Sequence, residues 1–377
     1  MKFIDEYQNS ELAKGLAQGI ANHSTKRIRL MEFCGGHTHA IMRYGIRQLV
    51  PRTIEMRSGP GCPVCVTATP DLDKAIALAH LPGVIMTTFG DMIRVPGSHS
   101  SLQQAKAEGA DVRVVYSTMD ALEIARANPK RSVVFIGIGF ETTAPTIAAS
   151  ITKAHQDTVE NFYVLSLLKL TPPVMKALLN LGEVKLDGII GPGHVSVIIG
   201  SHPYEFIPRT YNIAFAISGF EPVDILLSID KLVRQIESGR PIVEIAYPRG
   251  VRPEGNMKAL ELINEVFEID GANWRGIGVI PQSGLKINEK YQRFDADKAF
   301  GALPCFAPGG EPAGVSKGCR CGDILRGVAT PLDCKLFRGI CTPEHPIGPC
   351  MVSSEGACAA YYQYESPEPS GNSQGKV

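Results

Sequence analysis

The sequence predicts an α/β protein made of two similar parallel-sheet α/β lobes facing a central cleft, followed by a Cys-rich domain. Three observations carry this. Short apolar runs alternate with stretches of helical spacing from Ile28 to about Arg240, the pattern of strands joined by crossover helices. A turn recurs roughly 130 residues apart, as Gly59-Pro60-Gly61-Cys62-Pro63-Val64-Cys65 and Gly191-Pro192-Gly193-His194-Val195-Ser196-Val197, which reads as duplication. From Phe300 onward Gly, Pro and Cys dominate and periodicity fades. Such a segment needs a covalent or metal staple, because apolar burial alone cannot hold it.

The elements follow in order. Residues 1–27 read as a docking helix, with Phe3, Tyr7, Leu12, Leu16 and Ile20 at near-helical spacing. Lobe I spans 28–130, with strands at 28–33, 53–57, 83–88 and 112–116 and helices at 38–49, 69–79, 98–108 and 117–127. Lobe II spans 131–240, with strands at 132–137, 162–166, 188–190 and 213–217. Two facing lobes make a cleft, and clefts are preferred sites. The third domain spans 241–377: a linker around Pro248 and Pro253, a helix at 254–267, a strand at 277–280, then the Cys-rich part. A Pro/Ser/Gly-rich tail from Ser366 reads as disordered.

Composition bounds the function. The chain has 377 residues, enough for two or three domains, with 38 basic and 38 acidic side chains. Zero net charge gives no reason to expect nucleic acid or an anionic membrane as partner. No apolar run reaches the length of a membrane span, and the polar start does not resemble a signal peptide. A cytoplasmic protein is expected. Ten cysteines in reducing cytosol point to metal or redox chemistry. They fall into two groups: Cys34, Cys62 and Cys65, then Cys305, Cys319, Cys321, Cys334, Cys341, Cys350 and Cys358.

Chemistry concentrates in a few stretches. Met31-Glu32-Phe33-Cys34-Gly35-Gly36-His37 reads as a strand delivering a thiol to a tight turn at the sheet's carboxyl edge. The glycines permit positive φ and let a ligand approach the backbone closely. His37 can serve as proton donor, acceptor or metal ligand; the lesser alternative for Cys34 is an inert strand cap. Cys62 and Cys65 form a C-x-x-C pair, a redox dithiol or half a metal site. Cys319, Cys334, Cys341 and Cys358 are spaced C-x14-C-x6-C-x16-C. Four thiolates in a loop-rich segment suit an iron–sulfur cluster. Zinc is the competitor, although paired C-x-x-C knuckles are missing. Cys321 and Cys350 are left over, as a second dithiol or a spare ligand. Gly137-Ile138-Gly139-Phe140-Glu141-Thr142-Thr143 lacks the spacing of a phosphate loop and reads as cleft lining. His194 is a candidate of the same kind, or a hydrogen-bonded turn histidine.

Together these stretches resemble the HypD family of [NiFe]-hydrogenase maturation factors. The motifs are CGGHTHA at 34–40, GPGCPVC at 59–65, GFETTAP at 139–145, LTPP at 170–173, GPGHVS at 191–196, the four-cysteine set and GPCM at 348–351. Cys305 lies outside all of them. The resemblance implies a scaffold for assembling the Fe(CN)2(CO) unit of the hydrogenase, with redox activity. It implies iron on Cys34, a C-x-x-C at Cys62 and Cys65, and a [4Fe–4S] cluster on Cys319, Cys334, Cys341 and Cys358. It also implies a HypC-type chaperone and HypE, the cyanide donor supplied by HypF, as partners. On this reading His37 orients Cys34 or the iron's ligands, and Cys62 and Cys65 pass electrons to the iron site. The alternative is an iron–sulfur thiol–disulfide oxidoreductase acting on a protein disulfide.

Overall fold

The computed structural model describes residues 5–301 and 318–365. Cys305 and the tail expected to be disordered lie outside them. Eleven strands occur among the described residues: β1 (Ile28–Glu32), β2 (Ile54–Ser58), β3 (Val84–Thr88), β4 (Val112–Val114), β5 (Ser132–Gly139), β6 (Phe162–Leu168), β7 (Gly188–Pro192), β8 (Ala214–Ser218), β9 (Val243–Ile245), β10 (Phe267–Trp274) and β11 (Gly278–Ile287). Nine of them form two all-parallel sheets, ordered β2-β1-β7-β8-β9 and β4-β3-β5-β6. The expected α/β class with parallel sheets and a Cys-rich region is what the chain adopts.

The strands are shared out differently from the expected division. β1 and β2 pair with β7, β8 and β9, whereas β3 and β4 pair with β5 and β6. A boundary at residue 130 therefore separates neither sheet from the other. The chain starts the five-stranded sheet, leaves to build the four-stranded one, and returns. Alternating patterns specify which segments are strands; they do not specify partners, because a parallel pair can close across any crossover. The two Gly-Pro-Gly turns, expected in facing lobes, thus lie at the ends of β2 and β7, the two neighbours of β1 in one sheet.

Burial explains the apolar runs. β3 and β8 are buried along their whole length, as parallel strands covered on both faces must be. The helix Ser10–His23 is capped by Asn9, whose side chain accepts from the amides of Glu11 and Leu12. Its Ala13 and Ile20 share a core with Ile225 and Ile229 of the helix Pro222–Ser238. The expected helix at 38–49 is two helices, Gly35–Arg43 and Ile46–Leu49, parted by Gly45 at φ +62°.

The strand expected at 277–280 is β11, and it has a partner that the sequence reading left out. β10 and β11 form an antiparallel hairpin. It is seated at the end of β6, where Leu170 N–H donates to Ser283 O at 2.9 Å. The C-terminal region holds only short elements, among them the helices Cys321–Leu325 and Ala357–Tyr364. The latter packs on Gly35–Arg43, and nearby Arg47 Nη1 donates to Tyr361 OH at 2.7 Å. No helix among the described residues is long and apolar enough to cross a membrane.

A sulfur-lined candidate metal site

Cys34 stands where β1 stops and the helix Gly35–Arg43 begins, in the N-cap position. Its amide donates to Glu32 Oε2 at 2.9 Å, and Thr38 Oγ1 donates to the other carboxylate oxygen. Glu32 is itself buried, and desolvation raises its pKa to about 7 despite those hydrogen bonds. Cys34 keeps part of its surface open. Burial of the sulfur, then the carboxylates of Glu355 and Glu32, push its pKa up to about 12.

The two glycines after Cys34 are not at positive φ. They open a helix, and close approach is what requires them. A Cβ on Gly35 would lie 2.4 Å from Glu355 Cβ, and one on Gly36 would lie 2.9 Å from the Phe220 ring. Gly61 is tighter still: a Cβ there would fall 2.4 Å from both Cα and N of Cys34. Gly35 N–H donates to Gly61 O at 3.0 Å and Gly59 N–H to Glu32 O at 2.8 Å. The loop carrying Cys62 is thereby laced to the backbone that carries Cys34.

His37 is fully buried and faces the end of β8. Its Nε2 lies 2.9 Å from Gly219 O and 3.2 Å from Ser218 O. Two carbonyl acceptors make Nε2 the protonated nitrogen, which leaves Nδ1 as a lone pair; it has no partner among the described residues. Desolvation lowers the ring's pKa to about 4, so it is neutral at pH 7. Phe220 is stacked between two imidazoles, His37 at 4.6 Å and His194 at 3.8 Å between centroids.

Cys62 and Cys65 are joined by a disulfide with Cα atoms 5.2 Å apart, and both are buried. Cys62 caps the short helix Pro63–Val66, its sulfur accepting from Cys65 N–H at 3.2 Å. Cys65 Sγ lies 3.9 Å from Pro349 O, next in the chain to Cys350.

Beyond Pro349 lies a pocket lined by Cys319, Cys321, Cys334, Cys341, Cys350 and Cys358, with Ile324, Phe337 and Met351 between them. All four cysteines of the C-x14-C-x6-C-x16-C set line it. Cys321 and Cys350 have their sulfurs 2.6 Å apart, the arrangement of a second dithiol. Among the described residues no three His, Cys, Asp or Glu side chains converge on one ion. The thiolates of a multi-iron cluster can each bind a different iron, and sulfurs spread around one apolar pocket fit a cluster of that kind.

The structure thus brings Cys34, Cys62, Cys65 and the C-terminal cysteines into one continuous region. Glu141 and Thr171, at the ends of β5 and β6, meet at the other sheet. Thr171 donates to Glu141 through N–H at 2.8 Å and Oγ1 at 2.9 Å. Sequence reasoning missed Glu32, Phe220 and Glu355 as parts of the site. Glu32 left a signal, a carboxylate inside an apolar strand; Phe220 and Glu355 are recognisable only once the chain is folded.

The model of the family described as HypD, "Hydrogenase formation hypA family", matches residues 11–365. The chain is 48% identical to hydrogenase maturation factor HypD2 of Bradyrhizobium diazoefficiens over 97% of each chain. It is 47% identical to hydrogenase maturation factor HypD of Cupriavidus necator over 97% of each. Against HypD of Escherichia coli it is 43% identical over 98% of this chain and 99% of the other. This chain belongs to the HypD family of hydrogenase maturation factors.

Proposed function

We propose that the chain is the scaffold on which the Fe(CN)2(CO) unit of a [NiFe] hydrogenase is assembled in the cytoplasm. Iron, the cargo, is held on Cys34 and on a second thiolate from a HypC-type chaperone; HypE, supplied by HypF, brings cyanide. The observation that carries this reading is the run of sulfur from Cys34, through the Gly61 contact to Cys62 and Cys65, and on through Pro349 to the six-cysteine pocket.

The residues suit the work. A soft thiolate matches low-valent iron carrying strong-field ligands. Burial and the carboxylates of Glu355 and Glu32 favour the protonated Cys34 thiol, and a metal cation binding there would displace that proton. Neutral His37 offers a lone pair from a ring fixed by two carbonyls and by stacking on Phe220. Cys34 is partly open to a partner, whereas the disulfide is covered.

Release of cyanide from a carrier thiocyanate takes two electrons. A reduced Cys62–Cys65 pair provides them: R–S–CN and the dithiol give R–SH, the disulfide, cyanide and a proton. The disulfide then needs two electrons and two protons to return to the dithiol. A [4Fe–4S] cluster held by Cys319, Cys334, Cys341 and Cys358 supplies single electrons when bound.

Infrared spectroscopy of the complex with the small chaperone tests the scaffold: metal-cyanide and metal-carbonyl bands are expected. Their absence, with turnover of an external disulfide, would establish the oxidoreductase instead. Cys62→Ser tests the relay. It should leave the cluster's visible absorption intact and abolish cyanide-loaded iron, and normal loading would refute it.

A further inference from the structure

Arg275 sits in the turn between β10 and β11, distant in sequence from every cysteine, and only 5% of it is exposed. Its backbone N–H donates to Val66 O at 2.9 Å, its Nε to Thr67 O at 2.9 Å, and its Nη1 to Thr69 Oγ1 at 2.8 Å. These acceptors belong to the segment that directly follows Cys65. The next residue, Gly276, lies against Gly322, where an added Cβ would stand 2.3 Å from Gly322 Cα. Gly322 follows Cys321. Arg275 is therefore wedged between the chain leaving the C-x-x-C and the chain lining the six-cysteine pocket.

Its remaining nitrogen, Nη2, is buried and has no hydrogen-bond partner among the described residues. A buried guanidinium with an unused donor is costly unless a negative group answers it. Desolvation lowers the pKa of Arg275, and the negative charges that would oppose this are those of Cys321, Cys350 and Cys319 and then Asp71. Asp71 is itself engaged by Lys169 at 4.0 Å.

We propose that Arg275 is a positioning residue that supplies fixed positive charge to the six-cysteine pocket and raises the reduction potential of the cluster bound there. This rests on the proposed cluster reading. One-electron reduction adds a negative charge to an apolar pocket, and a buried cation nearby favours that state. Arginine suits the task because it does not lose its proton when buried. The two anchors, Thr67 O and Thr69 Oγ1, hold the charge in place and leave Nη2 free.

The test is a potentiometric titration of the cluster-loaded full chain with dithionite, followed by visible absorption and electron paramagnetic resonance. Arg275→Gln removes the charge; Arg275→Lys loses the same anchors and keeps a cation. The expected result is a reduction equilibrium at least tenfold less favourable in Arg275→Gln, about 59 mV for one electron, with a markedly smaller change in Arg275→Lys. Equal shifts in both variants, or none in either, would overturn the assignment. Should Arg275→Gln retain no cluster, retention by Arg275→Lys at an equal melting temperature supports the role of charge. Loss from both overturns it. Absence of a cluster from the wild-type chain would remove the cluster reading itself, an outcome distinct from an intact cluster with unmoved potential.

Discussion

The two parallel sheets have the same architecture and opposite chemistry. At the C-terminal edge of the five-stranded sheet, Cys34 is a partly exposed residue, and His37 retains an unpartnered nitrogen. At the same edge of the four-stranded sheet, Glu141 is buried, and Thr171 donates to both of its oxygens. Both edges contain desolvated groups with displaced pKa values. The difference is whether the edge leaves bonding capacity unspent. A displaced pKa alone does not identify a working site; unsatisfied valence beside an opening is the stronger sign.

Substitutions at the two edges can break or sharpen that contrast. The largest effect is expected from Cys34→Ser, which should remove the metal-cyanide and metal-carbonyl infrared bands of the chaperone complex while leaving the thermal midpoint almost unchanged. Retained bands would place the iron elsewhere.

The next concerns Glu141, whose pKa burial raises from 4.5 to about 7. A carboxyl raised on folding stabilises the protein fully below pH 4.5, and that contribution is lost as pH climbs through 7, roughly 3 kcal/mol in all. Glu32 behaves in the same way. Glu141→Gln should therefore make the slope of stability against pH between 4.5 and 7 less negative than in the wild type, measured by urea unfolding, without affecting iron loading. An unchanged slope would show that Glu141 ionises freely in the fold.

Gly61→Ala drives a methyl into the backbone of Cys34. Overpacking of this kind costs about 1–3 kcal/mol, and here it should also lower iron loading, because the displaced atoms belong to the proposed ligand. Normal loading at reduced stability would mean the loop contact is only structural. The smallest effect is expected at Tyr116, which is 92% exposed beside β4. Tyr116→Ser should change stability by less than about 0.5 kcal/mol and leave loading intact.

Much of this was legible in the sequence, for identifiable reasons. Strands such as β3, β5 and β8 are continuous apolar runs, so their positions emerged within a residue or two. Cys62, Cys65 and the C-terminal cysteines declared themselves by type and spacing. Strand partnership was not legible: nothing in β1 says that its second neighbour is β7, from 188 onward, rather than β3. The positive φ expected of Gly35 and Gly36 is not adopted, for a related reason. A glycine required by a distant side chain looks the same in sequence as one required by its own backbone angle, and Glu355 and Phe220 are far along the chain. The hairpin partner β10 was missed because its exposed Glu268, Ile269 and Asp270 give no apolar alternation.

The order in which the five-stranded sheet is completed has a consequence for synthesis. Cys34 leaves the ribosome early, but β7, the second neighbour of its strand, comes more than 150 residues later, and Glu355, which covers Gly35, is close to the last described residue. A nascent chain therefore displays this cysteine without the seat that defines it. On the scaffold function proposed above, iron would meet its complete seat only on a finished polypeptide.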